Sequence, residues 1–522
     1  MAETDKGGRR SRRGRGRADN ARREVSAAAI SQIPWTLPEN PDAPTEPLNE
    51  EGVQAIHNGA MRILEEIGIE FINEEAKGIL KAAGCTVAAD SDNVRMDRDF
   101  VMEQVTKAPS RFDITPRNPE RKVTIGDNRM LFVNVSSPPN CSDLDRGRRV
   151  GDQESYRDFI KLTQYFNCIH LAGGYPVEPV DIHASVRHLD CLYDKLTLTD
   201  KVVHAYSLGK ERVEDVMEMV RIAGGLTHDE FDASPRMFTN INSSSPLKHD
   251  LPMLDGAMRL ARRGQVVSVT PFTLSGAMAP VTLPGAVMQQ TAEGLAAIVL
   301  LQVVNAGAPV IYGSFTSNVD MKTGSPAFGT PEYMRATQMS GQMARFYNLP
   351  LRSSSACAAN YPDSQSAWES AFSLWACVSS RTNVVYHSAG WLEGGLCASY
   401  EKFVMDCETL QQMIHYMQPV TTSAGDLAFE AIRDVGPTGH FFGTEHTLER
   451  YETAFYAPFL SDWSNFENWE ERGSIQTPQR ANKIWKQILA EFEPPPTDPS
   501  IREELQAFVA KRKEEGGAPT DF

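Results

Sequence analysis

The side chains able to do chemistry in this chain recur as small polar and aromatic groups that follow short apolar runs. They stand at Gly173-Gly174, at His204, Tyr206 and Ser207, at Asn240, Asn242 and Ser243 to Ser245, and at Pro271-Phe272. They recur at Gly313 to Thr316, at Ser353 to Asn360 and at His387 to Glu393. Amides and hydroxyls at such places either satisfy loop backbone groups or orient a polar ligand. Phe272, Tyr312, Phe315, Tyr386 and Trp391 either fill the core or, brought to one place, form a cage that attracts a quaternary ammonium through the faces of their rings. Acids are scarce at these positions, and no lysine stands where a Schiff base would need it. His387, at the end of an apolar run, is the histidine best placed to act. Cys357 has the type of a nucleophile, although a buried thiol is the default for an isolated cysteine. His440, Glu445 and His446 cluster like metal ligands, but their spacing matches no zinc motif and no metal is expected.

The elements that must position these groups follow a rhythm. From about Ser155 onward, helical apolar stretches alternate with short apolar runs ending in Gly, Ser, Asn or Pro, which predicts βα units and a parallel sheet. The strands expected are Ile169 to Ala172, Val202 to Tyr206, Met237 to Ile241, Val266 to Val269, Val310 to Tyr312, Leu351 to Ser353 and Val384 to His387. Helices are expected over Val213 to Ala223, Pro252 to Arg262, Val287 to Val304, Pro331 to Tyr347 and Ser364 to Ser379. A unit length of about 30 to 40 residues fits an α/β fold of the TIM (β/α)8 barrel type, whose working residues sit where strands end. No glycine-rich phosphate turn is placed to suit a nucleotide. Ahead of the barrel, helices end at Gly68 and Gly84, and Val123 to Val135 alternates like a hairpin around Asp127-Asn128. The division expected is a disordered Arg-rich tail (1–33), an N-terminal α+β elaboration (34–154), the barrel (155–440) and a C-terminal helical cap (441–522).

Composition narrows the function classes. With 522 residues, 41% hydrophobic and 23% charged, the chain is an ordinary globular protein with a large core. A net charge of −16 argues against a nucleic-acid-binding body. The run from Lys6 to Arg23 is the exception and reads as a solvated tail. Its arginines are not followed by the apolar segment of an export signal. The longest apolar run, Leu295 to Val304, is about half of what a bilayer requires, so no membrane association is expected. Eight cysteines stand singly, without a CxxC pair, as in a reducing cytoplasm.

Several motifs carry a family resemblance. Gly276-Ala277-Met278-Ala279-Pro280-Val281-Thr282-Leu283-Pro284-Gly285, then Ala292-Glu293 and Gln302 to Pro309, resemble the central signature of the trimethylamine methyltransferase family. Asp320 to Gly324, Gly329 to Glu332 and Gly390-Trp391-Leu392-Glu393-Gly394-Gly395-Leu396 resemble it too, as do Arg117-Asn118-Pro119 and Gly439-His440-Phe441. The resemblance runs from about Leu48 to the C-terminal helix. It implies a TIM barrel that demethylates methylamines or betaines and delivers the methyl group to Co(I) of a corrinoid carried by a cognate partner protein. No cofactor would then be tightly bound to this chain. Members acting on trimethylamine carry pyrrolysine near the motif that here reads Ser355-Ala356-Cys357-Ala358, with Cys357 at or next to that position. The chain therefore resembles the non-pyrrolysine, glycine betaine methyltransferase-like branch. A quaternary ammonium suits it, because it leaves as a neutral amine and requires orientation more than acid or base.

By residue type, the expected catalytic pair is His387 and Glu393, and the expected substrate-binding set is Phe272, Tyr312, Phe315, Asn242, Arg352, Cys357 and Trp391. The aromatics would surround the methylated nitrogen while Asn242 and His387, or Arg352 if it points inward, hold a carboxylate. Glu393 would balance the cation or order its loop. A homo-oligomer is expected. The alternatives are a non-catalytic protein binding a methylated amine on the same barrel and a trimethylamine-specific methyltransferase. An aldolase or lyase would need a Schiff-base lysine or a metal carboxylate set.

Overall fold

The computed structural model describes residues 30–520, so most of the Arg-rich segment lies outside the described residues. Eight short strands run parallel: β1 (Leu131–Phe132), β2 (Leu171–Ala172), β3 (Val202–Val203), β4 (Phe238–Ile241), β5 (Val266–Val269), β6 (Val310–Gly313), β7 (Leu351–Ser354) and β8 (Val384–Tyr386). Each leads into a long helix: α1 (Gln153–Tyr165), α2 (Ala184–Leu198), α3 (Lys210–Ala223), α4 (Leu251–Arg262), α5 (Leu283–Val304), α6 (Pro331–Phe346), α7 (Ser364–Ser379) and α8 (Tyr400–Tyr416). Six strands make one parallel sheet in the order β4-β5-β6-β7-β8-β1, and β2 pairs with β3. Single parallel bridges join Val133 to Leu171 and His204 to Phe238. The result is a mixed α/β fold around a curled parallel sheet.

Every strand expected from the sequence is present. The repeat of two along each strand sorts its side chains. Leu131, Leu171, Val202, Phe238, Val266, Ile311 and Val384 share one buried cluster on the inner face. Val267, Val269, Val310, Tyr312 and Leu351 face the other way and pack with the helices. Helix α5 is apolar all round, as a helix covered on every side should be. It packs between α4 and α6 and under two N-terminal helices, Glu50–Arg62 and Arg98–Val105. By length and composition it could cross a membrane, yet 83% of its apolar window is buried inside this protein.

The hairpin expected over Val123 to Val135 does not form. Val123–Ile125 pairs antiparallel with Phe112–Ile114, while Leu131–Phe132 pairs in parallel with β8. Gly126 and Asp127 turn the chain at positive φ (120° and 51°), and the donors beyond the turn go elsewhere: Met130 N–H to the Pro38 carbonyl and Leu131 N–H to that of Asn383. Alternation marks a strand but does not choose its partner. At the C-terminus, α9 (Thr477–Ala490) packs on α8 and α1, and α10 (Pro499–Glu514) on α2 and α3.

Candidate active site

The carboxyl ends of the strands surround a cavity of about 410 Å³. Ser136 and Ser137 reach it from beyond β1, His204 and Tyr206 from beyond β3, and Asn240 and Asn242 from the end of β4. Phe272 and Phe315 follow β5 and β6, Arg352 stands on β7, and Tyr386, His387 and Trp391 come from the end of β8 and the loop after it. Of the residues expected from the sequence, the structure thus brings Phe272, Phe315, Asn242, Arg352, His387 and Trp391 together.

The aromatic wall is continuous. The Phe315 ring centre lies 5.0 Å from Phe272, 5.5 Å from His387 and 6.2 Å from Trp391, and the His387 and Trp391 rings are 4.0 Å apart. The Trp391 indole N–H donates to the Cys357 carbonyl at 3.1 Å, which fixes the ring's orientation. Burial, reinforced by Arg352 and His204, holds the His387 imidazole well below the usual histidine range, so it is neutral at working pH. His204 is held down by burial in the same way, with Lys195 and Arg352 adding to the effect. His387 Nδ1 lies 3.1 Å from the Ser354 hydroxyl, and its φ of 56° is a conformation that costs a residue with a side chain about 1–2 kcal/mol.

Arg352 is the unbalanced charge of this site. It is 3% exposed, and its guanidinium lies 4.6 Å from the Tyr386 ring centre and 5.3 Å from that of Phe315. Among the described residues its Nε and Nη1 have no hydrogen-bond partner. The Tyr386 hydroxyl, His204 Nδ1 and Ser136 hydroxyl, on the same cavity, lack partners among the described residues as well. Burial pulls the Arg352 pKa down to about 10, leaving it charged near neutrality. Desolvated polar groups left unpaired cost about 1–3 kcal/mol each and charged ones more, a cost that an anionic, hydrogen-bonding group placed here would relieve. Asn242 is different: its amide donates to the Thr270 carbonyl at 2.7 Å and its oxygen accepts from Asn240 at 3.2 Å, so it shapes the wall.

Three expected residues are not brought here. Tyr312 stands on the outer face of β6, its hydroxyl 2.8 Å from that of Thr291 on α5, because Ile311 takes the inner position. Glu393 turns outward to Arg148 at 3.0 Å, while its backbone N–H donates to the Ala359 carbonyl at 2.9 Å; it orders the loop and does not face the cavity. Cys357 is fully buried with its thiol 3.0 Å from the Trp391 carbonyl, and burial pushes it up to about 12, away from a reactive thiolate. Replacing Cys357 by serine is expected to leave ligand affinity and turnover within about two-fold, since the thiol packs rather than reacts. A loss of turnover with normal folding would return it to the chemistry.

Ser136 and Ser137 are not among the residues expected from the sequence, and Tyr386, weighed there as a core or cage aromatic, stands outside the expected substrate-binding set. The run Phe132-Val133-Asn134-Val135 ends in serines as the other strands end in small polar residues, and that was the available signal. A supporting acid also emerges. Glu293 on α5 is fully buried and accepts from the Ser243 hydroxyl, from the Ser245 hydroxyl at 2.6 Å, from Leu247 N–H at 2.8 Å and from the Gln289 amide at 2.8 Å. It holds the loop after β4 against the cavity.

Fold and site together define an α/β protein whose parallel strands converge on a cavity with an aromatic wall and a buried arginine. The chain belongs to the trimethylamine methyltransferase (MTTB) family, whose model matches residues 12–517. It is 40% identical to the glycine betaine methyltransferase of Desulfitobacterium hafniense (strain Y51) over 471 residues, covering 90% of this chain and 98% of that one. It is 28% identical to the trimethylamine methyltransferase MttB of D. hafniense (strain DSM 10664 / DCB-2), with 90% and 94% covered. To the proline betaine:corrinoid methyltransferase of Eubacterium limosum it is 29% identical, with 74% and 81% covered.

Proposed function

We propose that this chain takes a methyl group from a carboxylate-bearing quaternary amine, glycine betaine or a close relative, and passes it to the Co(I) corrinoid of a partner protein. The observation that carries this reading is the pairing, in one cavity, of buried Arg352, its Nε and Nη1 without partners among the described residues, with the rings of Phe272, Phe315 and Trp391. A betaine has a carboxylate for the first and a methylated cation for the second. Trimethylamine has no group to satisfy Arg352. The relatives named for glycine betaine and proline betaine support the same choice.

Mechanistically, the residues bind and orient. Arg352, with Tyr386 and His204 beside it, would anchor the carboxylate, and the aromatic wall would hold the trimethylammonium with one methyl toward the open side. Neutral His387 would shape that wall without adding a competing charge. The leaving group departs as a neutral tertiary amine, so no proton need move, in keeping with a cavity that no acid lines among the described residues. A cavity of 410 Å³ suits the amine and not a corrin ring, which fits a cofactor presented at the mouth by its own protein. The corrinoid, when docked, supplies the nucleophile that accepts the methyl group.

The same reading closes the sheet into a (β/α)8 barrel, supported by the bridges on either side of the β2–β3 pair. It takes 34–154 as an elaboration that also lends β1, 155–440 as the rest of the barrel and 441–522 as a cap. It places the protein in the cytoplasm, as a homo-oligomer.

The test is calorimetric titration with glycine betaine, carnitine, proline betaine and trimethylamine, followed by assay of Co(I) cobalamin methylation. Binding and transfer with a betaine but not trimethylamine is expected. Binding without transfer would leave a binding protein, and silence from all four would refute the reading. Betaine affinity should be flat between about pH 6 and pH 8, because His387 and His204 are already neutral there. It should fall as pH rises through about 10, where Arg352 loses its proton. Choline, without a carboxylate, should show no such fall. A step in betaine affinity near pH 6.5 would instead assign the anchor to a histidine.

A further inference from the structure

We propose that this chain forms a two-fold dimer in which the arm after α8 of each copy lies on the aromatic outer face of the other copy's α7. The arm, residues 418–472, has no core of its own: its four short helices contain no buried residue. It nevertheless carries large apolar side chains, with Phe442 85% exposed, Phe455 82% and Trp463 70%, and Val420, Phe429 and Phe466 more than half exposed. A second uncovered apolar surface lies on α7, where Trp368, Phe372 and Trp375 at i, i+4 and i+7 share one exposed face. Tyr416, the last residue of α8, sits 5.4 Å from Trp375, so the root of the arm adjoins this stripe.

Area and charge select the occupant. A half-exposed aromatic offers roughly 100 Å². The arm and stripe together therefore present on the order of 1,000 Å² per copy, beyond the largest patches of typical monomers and in the range an obligate dimer buries when doubled. The arm holds ten Asp and Glu against three Arg, so arm against arm would repel. Helix α7 has no Lys or Arg and a single acid, Glu369, whose carboxylate is engaged by the Ala358 and Ala359 N–H groups. Arm on stripe avoids the repulsion and satisfies both surfaces in both copies at once, the closure that an isologous pair provides. This inference does not depend on which amine is the substrate.

Sedimentation of the full chain should give twice its 57.8 kDa at micromolar concentration. The double substitution Phe442→Asp, Phe455→Asp on the arm and the single substitution Trp368→Glu on the stripe should each weaken self-association by at least about 100-fold while betaine affinity stays unchanged. Because all eight cysteines are buried, Phe442→Cys and Trp368→Cys chains can be mixed and joined by a bismaleimide, and a covalent heterodimer is expected even if the charged variants fold poorly. A monomer, a dimer indifferent to both substitutions, cross-linking confined to arm with arm, or association that appears only when the corrinoid protein is added would each overturn the proposal.

Discussion

Replacing Arg352 by methionine is expected to weaken glycine betaine binding by roughly 100- to 1,000-fold, because truncating one partner of a buried, hydrogen-bonded charge pair costs about 2–5 kcal/mol. The fold should not suffer. In the free protein this guanidinium is buried with Nε and Nη1 unsatisfied, and methionine keeps much of its apolar stem while removing the desolvated charge. The melting temperature of the ligand-free variant should therefore hold or rise. Lysine in place of Arg352 keeps the charge but not the planar fork that engages a carboxylate, so it should recover only part of the affinity. Calorimetry paired with thermal unfolding separates the cases. Unchanged betaine affinity would place the carboxylate elsewhere, and loss of affinity together with a collapsed melting temperature would make Arg352 a structural residue.

Exchanging Phe315 for leucine is the second large effect. Phe315 sits at the centre of the aromatic wall, in contact with Phe272, Phe328, His387 and Trp391 and beneath Arg352. Leucine fills similar space without the ring face, so what is lost is mainly attraction for the cation, about 1–2 kcal/mol for a desolvated site, or roughly 5- to 30-fold in affinity. The neutral shape-mimic 3,3-dimethylbutanoate separates this from packing. The native protein should prefer betaine over it, and in the Phe315→Leu variant that preference should shrink because betaine alone weakens. An equal loss for both ligands would show that the ring contributes only shape. Methyl transfer should fall at least as far as binding, since the same wall aims the methyl group.

Local order was largely legible in the chain. Short β-rich runs bounded by Gly, Ser, Asn and Pro marked β2 to β8 within a residue or two in most cases, and the helical repeat marked α3 to α7. Because strand ends in such folds meet at one edge, the lists of small polar and aromatic residues after each run already held most of the cavity's lining. The family motifs added the chemistry that residue types alone left open.

The tertiary structure decided what depends on distant partners. Ile311 and Tyr312 are both apolar in the main, and only the direction of the sheet's curl put the first inside and the second against α5. Leu131–Phe132 looked like half of a hairpin until β8, some 250 residues later, supplied its neighbour. Glu393 looked like an active-site acid until Arg148, on the short strand Gly147–Val150 ahead of α1, claimed it. Arg352 could anchor a carboxylate only if it points inward, and it took the fold to turn it toward the cavity and bury it with Nε and Nη1 unpaired among the described residues. Propensity and periodicity are written within a few residues, so they can be read from the sequence. Whether a charge is paired or stranded is set by residues hundreds of positions away, and that information exists only once the chain has closed on itself.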